Sequence, residues 1–174
     1  MNSDAGAKGA DDVVVAALNT TDVDWEIVEC DPDLADTAAF CEAYGFAMED
    51  SANTILVAGK ADPPVMAACI VLAHTRLDVN KVVRKRLGTR KASFASAADT
   101  EAVTGMIIGG VTPFGLPDGL PIWVDAQVME RERIVLGGGG RDRKVLADPS
   151  VLTAIGAEVV TDLAKPPPEP NQPD

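Results

Sequence analysis

The sequence is poor in the residues that most often carry chemistry. It has one histidine, His74, and three cysteines, Cys30, Cys41 and Cys69, without a C-x-x-C pair. An odd number of thiols so spaced suggests neither a disulfide framework nor a structural zinc site, and a reducing cytoplasm is the expected setting. Ser-His-Asp or Cys-His catalysis would have to pass through His74, which sits where an apolar run ends and reads as a structural or exposed strand-end residue. Aromatics are only 4% of the 174 residues, so a core must be built from Val, Ile, Leu and Ala. No run approaches the roughly 20 apolar residues that span a bilayer, and MNSDAGAKGADD lacks the basic-then-apolar pattern of a secretion signal. GGGGRDRK at 137–144 lacks the G-K-[ST] ending of a P-loop, and no G-x-G-x-x-G or G-x-S-x-G occurs. Neither a metal nor a cofactor is expected.

Positive charge is scarce and unevenly placed. The net charge is −12, which argues against a nucleic-acid partner. Yet residues 1–59 hold thirteen acids and one base, whereas KVVRKRLGTRK (81–91) holds six bases and no acid. Lys81, Arg84, Lys85 and Arg86 could touch phosphates. On composition alone, a solvated helix face followed by a turn is the stronger reading.

What the sequence does have is hydrophobic patterning and glycine. DDVVVAALN (11–19) reads as a helix and DWEIVEC (24–30) as a strand; Asp31-Pro32 then caps and starts a helix running to Gly45. TILVAG (54–59) and the fully apolar VMAACIVLA (65–73) read as strands, the second buried on both faces. Asp78 caps a helix over 79–87, KASF (91–94) is a short strand, and Ser96-x-x-Asp99 opens a helix that stops at Gly105. PIWVD (121–125), RERIVLG (131–137), RKVLA (143–147) and AEVVTDL (157–163) are further strand candidates, with a helix starting at Asp148-Pro149. Strands that follow one another after short turns favour an α+β fold with a mixed sheet. The expected organisation is a flexible N-terminus over 1–10, one domain over 11–164, and a disordered Pro-rich tail over 165–174.

Residues 105–121, GMIIGGVTPFGLPDGLP, carry five glycines and three prolines. Elements that need partners lie on both sides, so the stretch is an interior loop and not a linker. With a second glycine run at 137–140 and Asp125 ending the strand between them, two readings stay open. The glycines bring backbone N–H groups up to a phosphate or a developing oxyanion, with Thr112 adding a hydroxyl, or they serve tight hairpins.

TGMIIGGVTPFGLPDGLPIWVD, IVLGGGGRDRKV and, upstream, EIVECDPDLADTAA, ANTILVAG and TRLDVNKVVRKRLGTRKASFAS together resemble the YbaK/EbsC family, which includes the editing domain of bacterial prolyl-tRNA synthetases. The resemblance covers roughly residues 13–162. It implies one α+β domain whose twisted mixed sheet curls into an open barrel with surrounding helices. It also implies hydrolysis of the ester of a mischarged tRNA, with tRNA as partner and a synthetase as a further candidate. Carried over by position, Gly109 and Gly110 form the oxyanion loop, Thr112 takes its Ser/Thr place, Asp125 is the family aspartate, and Gly138 and Gly139 help wall the pocket. Asn53 and Thr54 stand on the substrate-binding strand, and the 81–91 run gains weight as a tRNA-facing surface.

One departure matters. Many relatives have a lysine where this chain has Asn53, which offers a donor and an acceptor but no charge. Lys60, in the following turn, is a poor substitute, and Cys30 stands where histidine is common. Three readings follow: a trans-acting aminoacyl-tRNA deacylase, a non-catalytic binder of an aminoacyl-tRNA or nucleotide-like ligand, and a hydrolase of another small ester or amide.

Overall fold

The computed structural model describes residues 12–166. Helix α1 (Val13–Asn19) is capped by Asp12, whose side chain accepts from Val15 N–H. Strand β1 (Trp25–Glu29) follows. The helix expected from Asp31 to Gly45 is broken in two: a 3₁₀ turn at Pro32–Leu34, then α2 (Thr37–Tyr44) with Asp36 at its cap. The break has a physical cause. A continuous helix would bind the carbonyls of Pro32 and Ala35 to N–H groups four residues on, but Arg141 and Lys144 take those two oxygens instead.

Strands β2 (Ala52–Gly59) and β3 (Val65–Leu72) form a long antiparallel pair. From Ala67 to Leu72 every residue of β3 is buried, because the strand is central and covered on both faces. Ile70 and Leu72 enter one core cluster, Ala67, Cys69 and Val71 another. A two-residue strand, β4 (Arg76–Leu77), precedes Asp78, which caps the next helix by accepting from Lys81 N–H. That helix begins as a π turn over Val79–Val83 and continues as α3 (Arg84–Leu87), closed by Gly88 in the left-handed conformation. Then come β5 (Ala92–Phe94), α4 (Ala97–Thr104) capped by Ser96, β6 (Ile122–Asp125), β7 (Ile134–Gly137), β8 (Arg143–Ala147), α5 (Ser150–Ala154), β9 (Glu158–Val160) and β10 (Ala164–Lys165).

Five strands make a mixed sheet in the order β5-β2-β3-β6-β9, in which only the β3/β6 and β6/β9 pairs are parallel. A second, antiparallel sheet runs β1-β8-β7. The fold is therefore α+β, with short helices around mixed sheets. The expected barrel is not formed as one sheet: a single parallel bridge, Ser51 to Val135, joins the two sheets. The main core fills the space they share, gathering Ile70 and Val124 from one and Ile134, Leu136 and Val145 from the other, with Val14 and Leu18 of α1. The π turn closes the opposite face of the mixed sheet through Val79 and Val83. At the C-terminal end, Lys165 pairs with Arg76 in the β10/β4 ladder, so the ordered domain reaches into the expected tail. Residues 1–11 and 167–174, which hold the rest of the expected flexible ends, lie outside the described residues.

Candidate active site

The glycine-rich loop is built by close approach of two backbones. Ile107 to Gly110 form a tight turn in which Gly110 N–H donates to Ile107 O at 2.9 Å, with Gly109 at φ 97°. That positive φ suits glycine and the third position of a type II turn. A β-carbon on Gly110 would lie 2.7–2.8 Å from backbone atoms of Gly140, and one on Gly137 would lie 2.1 Å from Val111 O. The two glycine runs thus permit the loops to touch, and Gly139 N–H seals the contact by donating to Gly110 O at 2.7 Å.

This packing fixes the loop's amides. In a planar trans peptide the C=O and the following N–H point in opposite directions. Ile108 O accepts from Arg141 at 3.0 Å, which sets the direction of Gly109 N–H. Gly110 O is held by Gly139, which sets that of Val111 N–H. Neither Gly109 N–H nor Val111 N–H has an acceptor among the described residues, and both residues line a cavity of about 340 Å³. Gly110, whose N–H is already bound within the turn, does not line it.

The cavity lies between β2, the α2 start, β7 and this loop. Its volume falls at the small end of ligand pockets, ~300–1,000 Å³. On its wall, Asn53 Oδ1 accepts from Thr37 Oγ1 at 2.7 Å, which leaves the Asn53 amide nitrogen without a partner among the described residues. Thr54, also on the wall, is only 9% exposed, and its hydroxyl has no hydrogen-bond partner among the described residues. Phe94 and Ile108 stand at the mouth, 59% and 52% exposed.

A cation missed in the sequence occupies the same cavity. Lys144 of β8 lines it, is 6% exposed, and donates from Nζ to Ala35 O at 2.5 Å and Gly109 O at 3.1 Å. The ammonium also lies 5.6 Å from the centre of the Phe40 ring. Burial pushes it below the ordinary lysine value of 10.5, while the Cys30 thiol acts in the opposite sense. Arg141 works in parallel: it donates to Pro32 O at 3.0 Å, to Asp36 Oδ1 at 3.2 Å and to Ile108 O. Two basic side chains three residues apart thus stitch segment 32–36 to the glycine loop. The only sequence signal for Lys144 was a charged residue in the short strand RKVLA, which begins three residues after the second glycine run.

The other expected site residues lie elsewhere. Asp125 is 2% exposed and off the cavity wall; its carboxylate accepts from Gln127 N–H and Ala164 N–H, both at 3.0 Å, and so ties the end of β6 to β10. Thr112 is fully buried, its hydroxyl without a partner among the described residues, and does not line the cavity. Gly138 and Gly139 pack behind the loop against Arg143 and Val14. Cys30 donates to Arg141 O at 3.2 Å, and burial pushes its thiol up, away from the reactive thiolate. Of the basic run, Arg86 pairs with Glu158 at 2.5 Å and lies over the Trp123 ring, and Arg84 binds Asn80 O and Thr89 O. Lys81 and Lys85 are exposed without partners among the described residues. Among the described residues no cluster of metal ligands forms, and no helix is long and apolar enough to cross a membrane.

Comparison with known proteins identifies the family to which this α+β domain, with its small cavity walled by a pinned glycine loop, belongs. The model of the aminoacyl-tRNA editing domain family matches residues 31–154, and the chain belongs to that family. It is 25% identical over 103 residues to a protein of Enterococcus faecalis (strain ATCC 700802 / V583) provisionally named Cys-tRNA(Pro)/Cys-tRNA(Cys) deacylase EbsC, covering 59% of this chain and 61% of that one. Two solved structures share the fold. A candidate trans-editing enzyme for prolyl-tRNA synthetase superposes with a TM-score of 0.73 at 23% identity, over 87% of this chain and 94% of that one. A protein described only as hypothetical gives 0.72 at 22%, over 82% and 92%.

Proposed function

We propose that this chain acts in trans to hydrolyse the ester joining a wrong amino acid to tRNA. The observation that carries the reading is that Gly109 and Val111, whose N–H groups are unbonded among the described residues, both line a cavity of about 340 Å³. A water attacks the ester carbonyl, whose oxygen becomes an oxyanion held by the two N–H groups. Collapse of that intermediate breaks the C–O bond to the ribose, and the proton lost by the water passes through solvent to the departing ribose oxygen. Donors fixed before the reaction need no reorganisation, and each is worth about 3 kcal/mol in such a site. The donor pair is then Gly109 and Val111, in place of Gly109 and Gly110. No cofactor enters this scheme.

The surroundings suit a single-stranded tRNA end. Exposed Phe94 offers a face on which a terminal base can stack. Strand β5, which carries it, packs against the π turn that bears Lys81, so phosphates leaving the mouth meet the basic run. Asn53 favours a second reading, a binder without turnover, because position 53 is neutral and already tied to Thr37.

The test is a panel of mischarged tRNAs incubated with the purified chain. Accelerated release of at least one amino acid is expected. Release at the rate of the protein-free control on every tRNA, with binding retained, would leave the binder in its place.

A further inference from the structure

The buried cation of the cavity has no counter-ion. Lys144 is 6% exposed, yet among the described residues no carboxylate lies within ion-pair distance of it. The one acid on the cavity wall, Asp36, faces Arg141 instead and is largely exposed. A buried, uncompensated ammonium is costly to a fold, and two carbonyl oxygens satisfy only two of its three N–H donors. A chain of net charge −12 has acids in plenty, but among the described residues none forms an ion pair with this lysine, and Asp36 acts on it only from a distance. An unpaired cation beside a cavity is a receptor for negative charge.

Its position says which charge. Gly109, whose carbonyl Lys144 holds, also carries one of the two unbonded N–H groups. The ammonium is therefore held against the residue that carries one of the amides that would meet an oxyanion. Gly137 faces Lys144 across the β7–β8 pair and has no side chain, so Val111 O lies where its β-carbon would be. The same register thus docks the loop and brings the lysine to it. Residue 53, also on the wall, is neutral, and Lys144 is the only basic side chain there among the described residues.

The geometry points to Lys144 as the positive charge of the reaction centre: its third N–H binds the negative oxygen that forms on the substrate, next to Gly109 N–H and Val111 N–H. This rests on the aminoacyl-ester reading above. The lysine reaches the site from β8, so the charge absent at Asn53 is supplied by a different strand. Lys144 itself transfers no proton. The ammonium stays charged while the carbonyl oxygen gains negative charge as water adds and loses it as the C–O bond to the ribose breaks, the water's proton passing through solvent to the departing ribose oxygen.

The test separates charge from architecture and does not depend on turnover. Binding is measured for two adenosine conjugates, the 3′-alanylamido compound, uncharged at its acyl carbon, and its tetrahedral α-aminophosphonate counterpart, anionic at that position. Wild type should prefer the phosphonate. Lys144→Met and Lys144→Gln, the latter able to hydrogen-bond but uncharged, should each lower that preference about 10- to 100-fold, the range of a charge-assisted hydrogen bond. Both variants should lose far more affinity for the phosphonate than for the amide, and Lys144→Arg should keep most of the preference. A preference that survives in Lys144→Gln, or an equal loss of both ligands, would overturn the assignment and leave Lys144 a structural clamp. Failure of wild type to bind either conjugate would defeat the aminoacyl-ester reading itself, and the assignment with it.

Discussion

Lys144 and Gly137 face one another across the β7–β8 ladder, one holding the glycine loop by its Gly109 carbonyl and the other making room for it at Val111. A methyl group at 137 would meet Val111 O at 2.1 Å, and backbone cannot yield as a flexible side chain can. Gly137→Ala should therefore destabilise the protein by about 1–3 kcal/mol, the usual cost of overpacking. It should also lower deacylation more than tenfold in the folded protein, because the loop must move. A denaturant midpoint and a rate measured well below it check the two effects separately.

Asp125 is a brace and should behave as one. Both carboxylate oxygens accept backbone N–H groups, and Asn would turn a donor toward one of them. Asp125→Asn should cost about 1–3 kcal/mol of stability, the penalty for a buried unsatisfied donor. The rate of the remaining folded protein should change less than about tenfold, far below the 10³-fold or greater loss usual for a nucleophile or its base. Thermal unfolding and single-turnover rates on the same sample decide it.

Acid should loosen α1. A bidentate pair joins Asp12 to Arg143, at 2.7 and 3.0 Å, and Arg143 also donates to Gly138 O at 2.8 Å. The guanidinium, above all through its hydrogen bonds, holds the Asp12 carboxyl below its ordinary 3.8, against the opposing effect of burial. A depressed carboxylate contributes stability that is complete above the unfolded value and disappears as pH falls through the folded one. Asp12→Asn should thus lower the melting temperature at pH 7, and the gap from wild type should narrow as pH drops below about 4. Melting curves from pH 3 to 7 supply the comparison.

The tRNA surface should depend on the unengaged lysines. Arg84 and Arg86 already hold intramolecular partners, while Lys81 and Lys85 do not among the described residues. Reversing Lys81 and Lys85 to Glu should weaken tRNA binding and make the slope of log K against log salt shallower by about 2, one for each lost phosphate contact. Arg86→Glu should do less to the slope and more to stability, since it breaks the contact with Glu158 and Trp123. Binding titrations at several salt concentrations read both.

The local parts of this fold were legible in the sequence because their causes are local. Asp78 and Ser96 cap the helices expected of them, Gly45, Gly88 and Gly105 close helices at positive φ, and the apolar run of β3 is buried on both faces. What escaped depends on contacts distant in the chain. Lys144 and Ala35 are 109 residues apart, as are Arg141 and Pro32, and these pairs both broke the helix after Asp31 and built the site. Glycine content marked the loop, but only the docking of Gly110 against Gly140 showed which N–H groups the turn consumes. Asp125 was noticed through its place at a strand end, where a carboxylate bracing backbone amides looks the same in sequence as one serving a substrate.

The most direct test of the account replaces one atom. Substituting the α-hydroxy analogue of valine at position 111 exchanges the backbone N–H for an ester oxygen and keeps the side chain, so the loop retains its packing. With the mischarged tRNA that wild type hydrolyses fastest, single-turnover deacylation should fall about 10²- to 10³-fold, the loss seen when one oxyanion donor is removed, while tRNA affinity holds. An unchanged rate in the ester variant, or no acceleration by wild type on any mischarged tRNA, would contradict the account.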